Sequence, residues 1–268
     1  LDAAIQAQLP GTLLYATGTG IDPTGATDST SALQNKINEA LSSGKPLYIG
    51  PGTYRITSTL NMRGAGLVIR GAGPYRTILR SYTNNIPVVR IGGQAQTIEE
   101  FSVDYNTDQT SAQTNANGFE FYNSFFSSYR KLFAFRSAVG FYLGKDAGIL
   151  ASQGGVNGVF SCSFESLEIN GYAISAINFE STNSYSTGNV WSNIYTHNNY
   201  NGPVAANTGP CVNFAFCDEQ IINQMNVEHS NPAGAGFGLQ QAKNVVVNGL
   251  HFEGLTPSTW GAGFVSLY

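Results

Sequence analysis

Short segments in which apolar and polar positions alternate recur along the chain. In 248–254, NGLHFEG, Leu250 and Phe252 would point to one face of a β-strand, and His251 and Glu253 to the other. Five other segments fit the same register, and their residues equivalent to Leu250 are all apolar: Met225, Ile194, Leu167, Leu132 and Phe101. The positions three residues before and two residues after this reference residue are mostly apolar too. The pattern therefore predicts a strand with a core-facing side in every copy.

The copies are separated by steps of 31, 35, 27, 31 and 25 residues, read from reference positions 101, 132, 167, 194, 225 and 250. A second stretch, GFGL at 236–239, CVNF at 211–214 and GFEF at 118–121, lies at a constant offset before three of these positions. Each repeat thus supplies at least three short strands. Such a unit cannot bury its apolar side chains alone, so the copies must stack. A propeller blade needs about 40 residues, so we predict an all-β fold, a parallel β-helix.

The start of the chain follows a helical pattern. Apolar residues recur at every fourth position: Leu33, Ile37 and Leu41. We expect Asp28 or Ser29 to accept backbone N–H groups at the helix start, and Gly44 to end the helix. Segment 46–56 then predicts two strands about a Pro-Gly turn. Because the open end of a solenoid exposes its core and strand edges, this helix is expected to be an N-terminal capping α-helix.

Composition and charge narrow the classes of function. Charged residues make up only 11% of the chain, whereas Gly (31), Tyr (14) and Phe (16) are plentiful, as in proteins with short strands and many turns. The formal net charge of −4 argues against nucleic acid as a partner, because nucleic acid binding demands clustered basic residues. No apolar run approaches the roughly 20 residues that span a bilayer, so no membrane insertion is expected.

The three cysteines, Cys162, Cys211 and Cys217, cannot all pair within the chain and have no CxxC or Cys/His metal spacing. We therefore expect neither a disulfide scaffold nor a metal or cofactor. The length suits a single domain, 1–268, with a lead-in and cap at 1–57 and coils at 58–268. The chain opens with Leu1 and not Met, which predicts a processed protein or a piece of a longer one.

The segment TGATDSTSALQNKINEALSSGKPLYIGPGTYRITSTL, residues 24–60, resembles the N-terminal signature of the pectate-lyase-like superfamily of right-handed parallel β-helices. The specific match covers residues 22–69, and within the superfamily the chain is most similar to bacteriophage tailspike depolymerases. The resemblance implies a right-handed β-helix on a virion tail, commonly a homotrimer, that binds and often cleaves bacterial surface polysaccharide. The superfamily also contains lyases, exo-glucanases and epimerases, so the reaction type stays open. No catalytic residue is carried over from it.

Candidate chemistry lies at the outward positions of the repeated strand. The outward pairs, from the last copy back, are His251 and Glu253, Asn226 and Glu228, Tyr195 and His197, Glu168 and Asn170, Phe133 and Phe135, and Ser102 and Asp104. Coils roughly 4.8 Å apart would place these side chains on one face. Aromatic rings that stack on sugar rings, with amides and acids that bind hydroxyls, suit a carbohydrate. The predicted substrate-binding residues are His197, His251, Tyr195, Asn226, Glu168 and Asn170.

Glu228 and Glu253 are the predicted catalytic pair, because they occupy matching positions of consecutive coils. Their carboxyl groups would lie about 5 Å apart, the separation of a retaining glycosidase and not the roughly 6.5–9.5 Å of an inverting one. Two carboxylates this close push one pKa upward, which gives a proton donor beside an ionised partner. The competing interpretation is that each is a hydrated surface residue.

Two alternatives to hydrolysis stay open. A lyase needs a base beside a uronate carboxylate, for which Tyr195 or His197 is suited, and cationic side chains that steady the charge. The basic candidates are Arg130, Lys131 and Arg136. The competing interpretation is that these three residues lie in a solvated basic turn without a role in binding. A non-catalytic carbohydrate-binding β-helix needs only the aromatic and amide side chains. The other acidic residues are interpreted as turn or rim residues, with Asp104 a weaker candidate: Asp218, Glu219, Glu180 and Glu120.

Overall fold

The computed structural model describes residues 13–144, 158–179, 186–198, 210–228 and 236–254, together with the backbone of 265–267. In these residues the elements are β1 (Leu14–Tyr15), α1 (Thr30–Ser43), β2 (Leu47–Ile49), β3 (Gly52–Ile56), β4 (Leu60–Arg63), β5 (Val68–Gly71), β6 (Thr77–Ser81), β7 (Val89–Gln94), β8 (Thr97–Tyr105), β9 (Asn117–Phe125), β10 (Ser128–Leu143), β11 (Val159–Phe160), β12 (Ser163–Phe179), β13 (Ser186–Thr187), β14 (Val190–His197), β15 (Val212–Ala215), β16 (Cys217–Asp218), β17 (Ile221–Glu228), β18 (Phe237–Gln240), β19 (Val246–Glu253) and β20 (Val265–Leu267). No helix among the described residues is long and apolar enough to cross a membrane.

The strands pair in parallel, and their register reproduces the repeat alignment. β8, β10, β12, β14, β17 and β19 pair in that order. Their pairing stacks the six reference residues in one column: Phe101, Leu132, Leu167, Ile194, Met225 and Leu250. The prediction of an all-β chain with parallel, stacked coils is therefore confirmed, and the arrangement is that of a β-solenoid.

A residue with left-handed backbone divides each of these long strands between two sheets. It comes directly before the reference position in six successive coils: Glu100 (φ 63°), Lys131 (50°), Ser166 (54°), Asn193 (57°), Gln224 (60°) and Gly249 (88°). In β8 the part before Glu100 pairs with β5, and the part after it pairs with β6. We call these the first and the second sheet. The chain bends around the core at the left-handed residue, which we call the corner. Apolar residues therefore recur both at the reference position, after the corner, and three residues earlier, before it.

A third sheet continues each coil. It contains β4, β7 and β9, the last residues of β10 and β12, and then β15 and β18. β15 and β18 pair Val212 with Phe237, in agreement with the constant offset of the CVNF and GFGL stretches. The three strands that the sequence predicts for each repeat are therefore present.

The interior contains stacked aromatic rings and buried amides. The rings of Phe164 and Trp191 stack with their centres 4.0 Å apart. Gln220 Oε1 accepts the Trp191 indole N–H at 3.0 Å, and its Nε2 donates to the carbonyls of Ser186 (3.2 Å) and Asp218 (2.8 Å). These bonds join the Gln220 amide to the Trp191 ring and to the backbone of β13 and β16.

The helix α1 begins and ends close to the predicted residues. Asp28 Oδ1 accepts the backbone N–H of Thr30 at 3.0 Å, and Gly44 ends the helix with a φ of 66°. Ser29 Oγ instead accepts the backbone N–H of Asp22 at 2.9 Å, outside the helix. Asp28 is therefore the residue that binds the helix start.

The buried side of α1 differs from the prediction at one position. Leu33, Ile37 and Ala40 are buried, whereas Leu41 is 38% exposed. An α-helix turns once every 3.6 residues, so a strict four-residue spacing drifts by roughly 40° at each step. Leu41 therefore rotates out of the apolar stripe that packs towards β1, β2 and β4.

The three cysteines are buried free thiols. Burial raises the pKa of the Cys162 thiol to about 11 and that of Cys217 to about 12. Both thiols therefore stay protonated at neutral pH and act as core side chains.

Candidate functional site

The outward side chains of the second sheet form two columns on one face. From β10 to β19, the column directly after the reference position contains Phe133, Glu168, Tyr195, Asn226 and His251. The column two residues further along contains Phe135, Asn170, His197, Glu228 and Glu253. We call this surface the acidic-aromatic face. The structure brings onto it all eight residues that the sequence predicts for catalysis and substrate binding.

The turn between β5 and β6 closes the N-terminal end of this face. Ser102 Oγ donates to the carbonyl of Pro74 in that turn, and Ser102 is buried. Asp104 is also buried, because Arg80 and Arg136 both bind its carboxylate. Ser102 and Asp104 therefore lie at outward strand positions, as the alignment predicts, but they are covered, and the open part of the face begins one coil later.

Tyr75, in the same turn, reaches over the face to Glu168. Its hydroxyl donates to Glu168 Oε2 at 2.5 Å, and His197 Nε2 lies 3.1 Å from Oε1 of the same carboxylate. Burial pushes the pKa of Glu168 upward, but the hydrogen bonds from His197 and Tyr75 outweigh burial and hold this pKa below its usual value. Burial and the bond to Glu168 raise the pKa of Tyr75. Glu168 is therefore an oriented, ionised acceptor and Tyr75 its donor.

Tyr195 and His197 connect Glu168 with the next acidic side chain. Their rings stack with centres 4.5 Å apart, and the Tyr195 hydroxyl donates to Glu228 Oε2 at 2.8 Å. Burial, the bond to Glu228 and the nearby negative charges raise the pKa of Tyr195 to about 12. The hydroxyl therefore stays protonated at neutral pH. A continuous series of contacts runs over β12, β14 and β17, from Glu168 to Glu228.

Glu228 and Glu253 come together at the C-terminal end of the face. They are direct partners across β17 and β19, and an oxygen of each carboxylate lies within 4.8 Å of the other and of a nitrogen of His251. His251 Nε2 lies 3.5 Å from Glu253 Oε2. An upper limit of 4.8 Å between these atoms is compatible with the separation of about 5 Å that the repeat alignment predicts. The three atoms also have the spacing of ligands around a metal ion, although the sequence predicts no metal site.

Two polar atoms on this face are buried and have no hydrogen-bond partner among the described residues: Asn170 Oδ1 and His197 Nδ1. Asn170 and His197 are direct partners across β12 and β14. A buried polar atom without a partner is unfavourable, so a hydroxyl group from water or a ligand would stabilise the site here. Further along the face, Asn226 and His251 line a hollow of about 350 Å³.

The basic residues considered for a lyase are engaged in ion pairs. Arg130 Nη2 lies 2.5 Å from Glu99 Oε2, and Lys131 Nζ lies 3.2 Å from Glu100 Oε1. Arg136 is bound by the buried carboxylate of Asp104 on the neighbouring strand. All three lie within β10. Their interpretation as a solvated turn is therefore wrong, because they link adjacent strands.

The remaining acidic residues are distributed as follows. Glu120 is buried in β9 and lies 2.6 Å from Arg90 Nε, so its interpretation as a rim residue is wrong. Asp218 ends β16, and Glu219 follows it as an exposed residue with a φ of 50°, in agreement with the predicted turn. Glu180 lies outside the described residues.

Tyr75 is a functional candidate that the sequence analysis missed. It lies 93 residues before Glu168, in a turn outside the repeated register. An alternating pattern aligns equivalent strand positions, but it does not link a turn residue to a side chain several coils away. The available signal was an aromatic side chain in the sequence GPYR, in a turn where small polar residues are usual.

A comparison with models of protein families identifies the family of the chain. A family model described as rhamnogalacturonase A/epimerase, pectate lyase-like, matches residues 16–259. The chain belongs to this family. The resemblance carried by the N-terminal segment is thereby confirmed and extends over nearly the whole chain. No curated protein matches the sequence.

Three solved structures illustrate the shared fold. The ORF18 protein of Geobacillus virus E2 has a TM-score of 0.60 at 15% identity, and the match covers 96% of this chain and 61% of that one. The tailspike protein of Acinetobacter phage vB_ApiP_P1 has a TM-score of 0.52 at 14% identity, with 99% and 63% covered. The A-module of the Azotobacter vinelandii mannuronan C-5 epimerase AlgE4 has a TM-score of 0.50 at 12% identity, with 95% and 81% covered. The chain thus spans less than two thirds of both phage proteins.

Proposed function

We propose that the chain binds a bacterial surface polysaccharide, capsule or O-antigen, along the acidic-aromatic face and cleaves it by glycoside hydrolysis. The observation that carries this proposal is the pairing of Glu228 with Glu253, whose carboxylate oxygens lie within 4.8 Å. Retaining glycosidases use two carboxyl groups about 5–5.5 Å apart. The fold shared with a phage tailspike and a mannuronan epimerase supports a carbohydrate polymer as the substrate.

Each carboxyl group has a role in this mechanism. Glu228, which the Tyr195 hydroxyl orients, attacks the anomeric carbon while Glu253 gives its proton to the leaving glycosidic oxygen. The bond from Glu228 to the sugar forms as the glycosidic bond breaks. Glu253 then takes a proton from water, whose oxygen displaces Glu228 and restores both carboxyl groups. The side chains that bind sugar hydroxyls in this proposal are His197, His251, Tyr195, Asn226, Glu168 and Asn170.

The test is incubation with a panel of capsular and O-antigen polysaccharides and mass spectrometry of the products. Fragments that have gained water support hydrolysis, whereas unsaturated uronate ends would replace it with elimination. Intact polymer that stays bound would overturn cleavage. The assay is run with and without EDTA, and we expect equal rates. A loss of activity in EDTA would contradict the acid-pair mechanism and indicate a metal at Glu228, His251 and Glu253.

Elimination has less support from the contacts of its candidate residues. Arg130 and Lys131 are bound by Glu99 and Glu100, and the raised pKa of Tyr195 makes it a poor base. A binding function without cleavage is the second candidate, favoured by the exposure of Glu253. The Glu253 side chain is 61% exposed, whereas active sites commonly enclose the reacting groups.

The assembly and setting of the chain are part of the same proposal. We propose one β-helix domain over residues 1–268, within a homotrimeric tailspike on a virion. The similarity in fold to the tailspike of the Acinetobacter phage supports this. Light scattering of the purified chain is expected to give the mass of a trimer, and a monomer mass would contradict the homotrimer.

We also propose that the coil is right-handed and that α1 caps its N-terminal end. Parallel crossovers are right-handed in about 98% of cases, and α1 contacts β1 and β2 at the start of the strand stack. Leu33→Asp is expected to lower Tm and increase binding of a hydrophobic dye. Leu41→Asp, at the partly exposed position, is the matched control and is expected to change both little. Equal behaviour of the two variants would contradict the cap.

A further inference from the structure

We infer that Tyr75, Phe133 and Phe135 form a sugar-stacking subsite at the N-terminal end of the acidic-aromatic face. The inference rests on the proposed function and deepens it. The Tyr75 ring centre lies 5.2 Å from that of Phe133 and 6.2 Å from that of Phe135. Three adjacent rings give a continuous apolar surface on an otherwise polar face. Tyr75 is exposed and both phenylalanines are partly exposed, and a surface of this kind fits the C–H face of a sugar ring.

The Tyr75 ring is both exposed and held in place. Tyr75 is 67% exposed, yet its hydroxyl donates to Glu168 Oε2 at 2.5 Å and its ring contacts Phe133 edge to face. A side chain fixed in this way loses little conformational freedom when a ligand binds. The turn that carries it is also anchored, because Ser102 Oγ donates to the carbonyl of Pro74. Tyr75 is therefore a preorganised platform.

Polar groups beside the platform complete a carbohydrate site. The Glu168 carboxylate, which Tyr75 and His197 orient, can accept bonds from sugar hydroxyls next to the rings. Asn170 Oδ1, buried and without a partner in the described part of the chain, lies on the same strand as Glu168. An apolar surface bordered by oriented acceptors distinguishes a sugar from a purely apolar ligand.

The subsite is remote from the acid pair. Phe135 lies in one column with Glu228 and Glu253, three and four coil steps away, which at roughly 4.8 Å per coil is about 14 and 19 Å. A sugar bound at the rings thus belongs to the same polymer chain as the bond cleaved, but lies several units away. If the rings bind the sugar equally well in the ground state and in the transition state, their loss raises KM and leaves kcat nearly unchanged.

The experiment compares Tyr75→Ala, Tyr75→Phe and Phe126→Ala on the polysaccharide that the wild-type protein cleaves. Phe126 is the matched control, an aromatic residue 64% exposed in the turn that leads into β10. We expect Tyr75→Ala to raise KM about ten-fold with kcat unchanged. Tyr75→Phe keeps the ring but loses the bond to Glu168, so it is expected to raise KM less than Tyr75→Ala does, whereas Phe126→Ala is expected to stay near wild type. Equal Tm values for the variants show that the fold is intact.

Several outcomes would overturn the subsite. One is a KM for Tyr75→Ala equal to that for Phe126→Ala. Another is an effect of Tyr75→Phe as large as that of Tyr75→Ala, which would assign the role to the bond with Glu168. If the wild type binds a polysaccharide without cleaving it, dissociation constants replace KM. The subsite is then tested by the same comparison of Tyr75→Ala with Tyr75→Phe and Phe126→Ala. If the wild type binds none, the proposed function fails together with the subsite.

Discussion

Glu228 of β17 and Glu253 of β19 are direct partners across two parallel strands, and their carboxylate oxygens lie within 4.8 Å of each other. Two acidic side chains placed directly opposite each other in a sheet are destabilising when both are ionised. The Tyr195 hydroxyl nevertheless holds Glu228 in this position with a bond of 2.8 Å. An arrangement that is unfavourable for the fold and fixed by a neighbour is typical of a functional site.

If these two residues are the acid pair, each is needed for turnover. Glu228→Gln and Glu253→Gln are each expected to lower kcat by about 10²–10⁴-fold, because a glutamine neither attacks the sugar nor gives a proton. The matched control is Glu165→Gln, at an exposed position of β12 before the corner. Turnover of the cleaved polysaccharide is measured at one pH for all variants. Unchanged turnover in either of the first two would contradict the pair.

The sequence predicts the register of this face because each coil carries one apolar reference residue at its corner. Phe101 and Leu132 are partners although 31 residues separate them, and Met225 and Leu250 are partners at a separation of 25. The variable lengths lie in the turns, which leave the strand pattern intact. A one-residue slip would turn every apolar side chain outward, so burial fixes the register strongly. The two columns of the candidate site follow from it.

The sequence could not predict contacts between residues of different coils that are not partners in the strand register. Ser102 is buried because a turn from an earlier coil folds over it. Tyr75 contacts Glu168 for the same reason. Each of these contacts depends on the path of a turn in three dimensions, which the spacing of apolar residues does not determine.

The contacts of Glu168 predict how stability depends on pH. Hydrogen bonds from His197 and Tyr75, working against burial, hold its pKa below the ordinary value of 4.5. The unfolded chain therefore binds a proton more readily, and the ionised carboxylate stabilises the fold at neutral pH. This contribution is present above the unfolded pKa and is lost as the pH falls through the folded pKa.

We therefore expect Glu168→Gln to lower Tm at pH 7, and the difference from wild type to shrink towards pH 3. Thermal unfolding of both proteins at the two pH values measures this. Glu165→Gln is the control, since its exposed carboxylate has none of these bonds among the described residues. A difference that is the same at both pH values would show that Glu168 stabilises the fold by packing alone.

The buried amide of Gln220 predicts a large loss of stability. Gln220→Ala removes the acceptor of the Trp191 indole N–H and one donor to each of the carbonyls of Ser186 and Asp218, of which the Asp218 carbonyl keeps the backbone N–H of Gly188. Unsatisfied buried groups each cost about 1–3 kcal/mol, so we expect a loss of roughly 2–4 kcal/mol in the free energy of unfolding. Urea denaturation measures this. Gln240→Ala, at an exposed strand position, is the control and is expected to change the free energy by about 0.5 kcal/mol or less.

The left-handed corner predicts opposite preferences at two serines. Ser166 has a φ of 54°, whereas Ser192, on β14, is not among the residues with positive φ. Glycine adopts a positive φ readily, and a β-branched residue does so least, so at 166 we expect Gly to be more stable than Val by about 1–2 kcal/mol. At 192, in extended backbone, Val is expected to be more stable than Gly by up to roughly 1 kcal/mol.

The comparison uses four variants: Ser166→Gly, Ser166→Val, Ser192→Gly and Ser192→Val. Both substitutions at 166 remove the hydroxyl that accepts the Asn193 amide at 3.3 Å, so the difference between them reports the backbone and not this bond. Denaturant unfolding gives the four free energies. The same order of Gly and Val at both positions would contradict a left-handed corner at Ser166. If the order of Gly and Val is reversed between the two positions, we expect the preference for Gly at the five other corner residues as well. The reason is that the same bend separates the first and the second sheet in each coil.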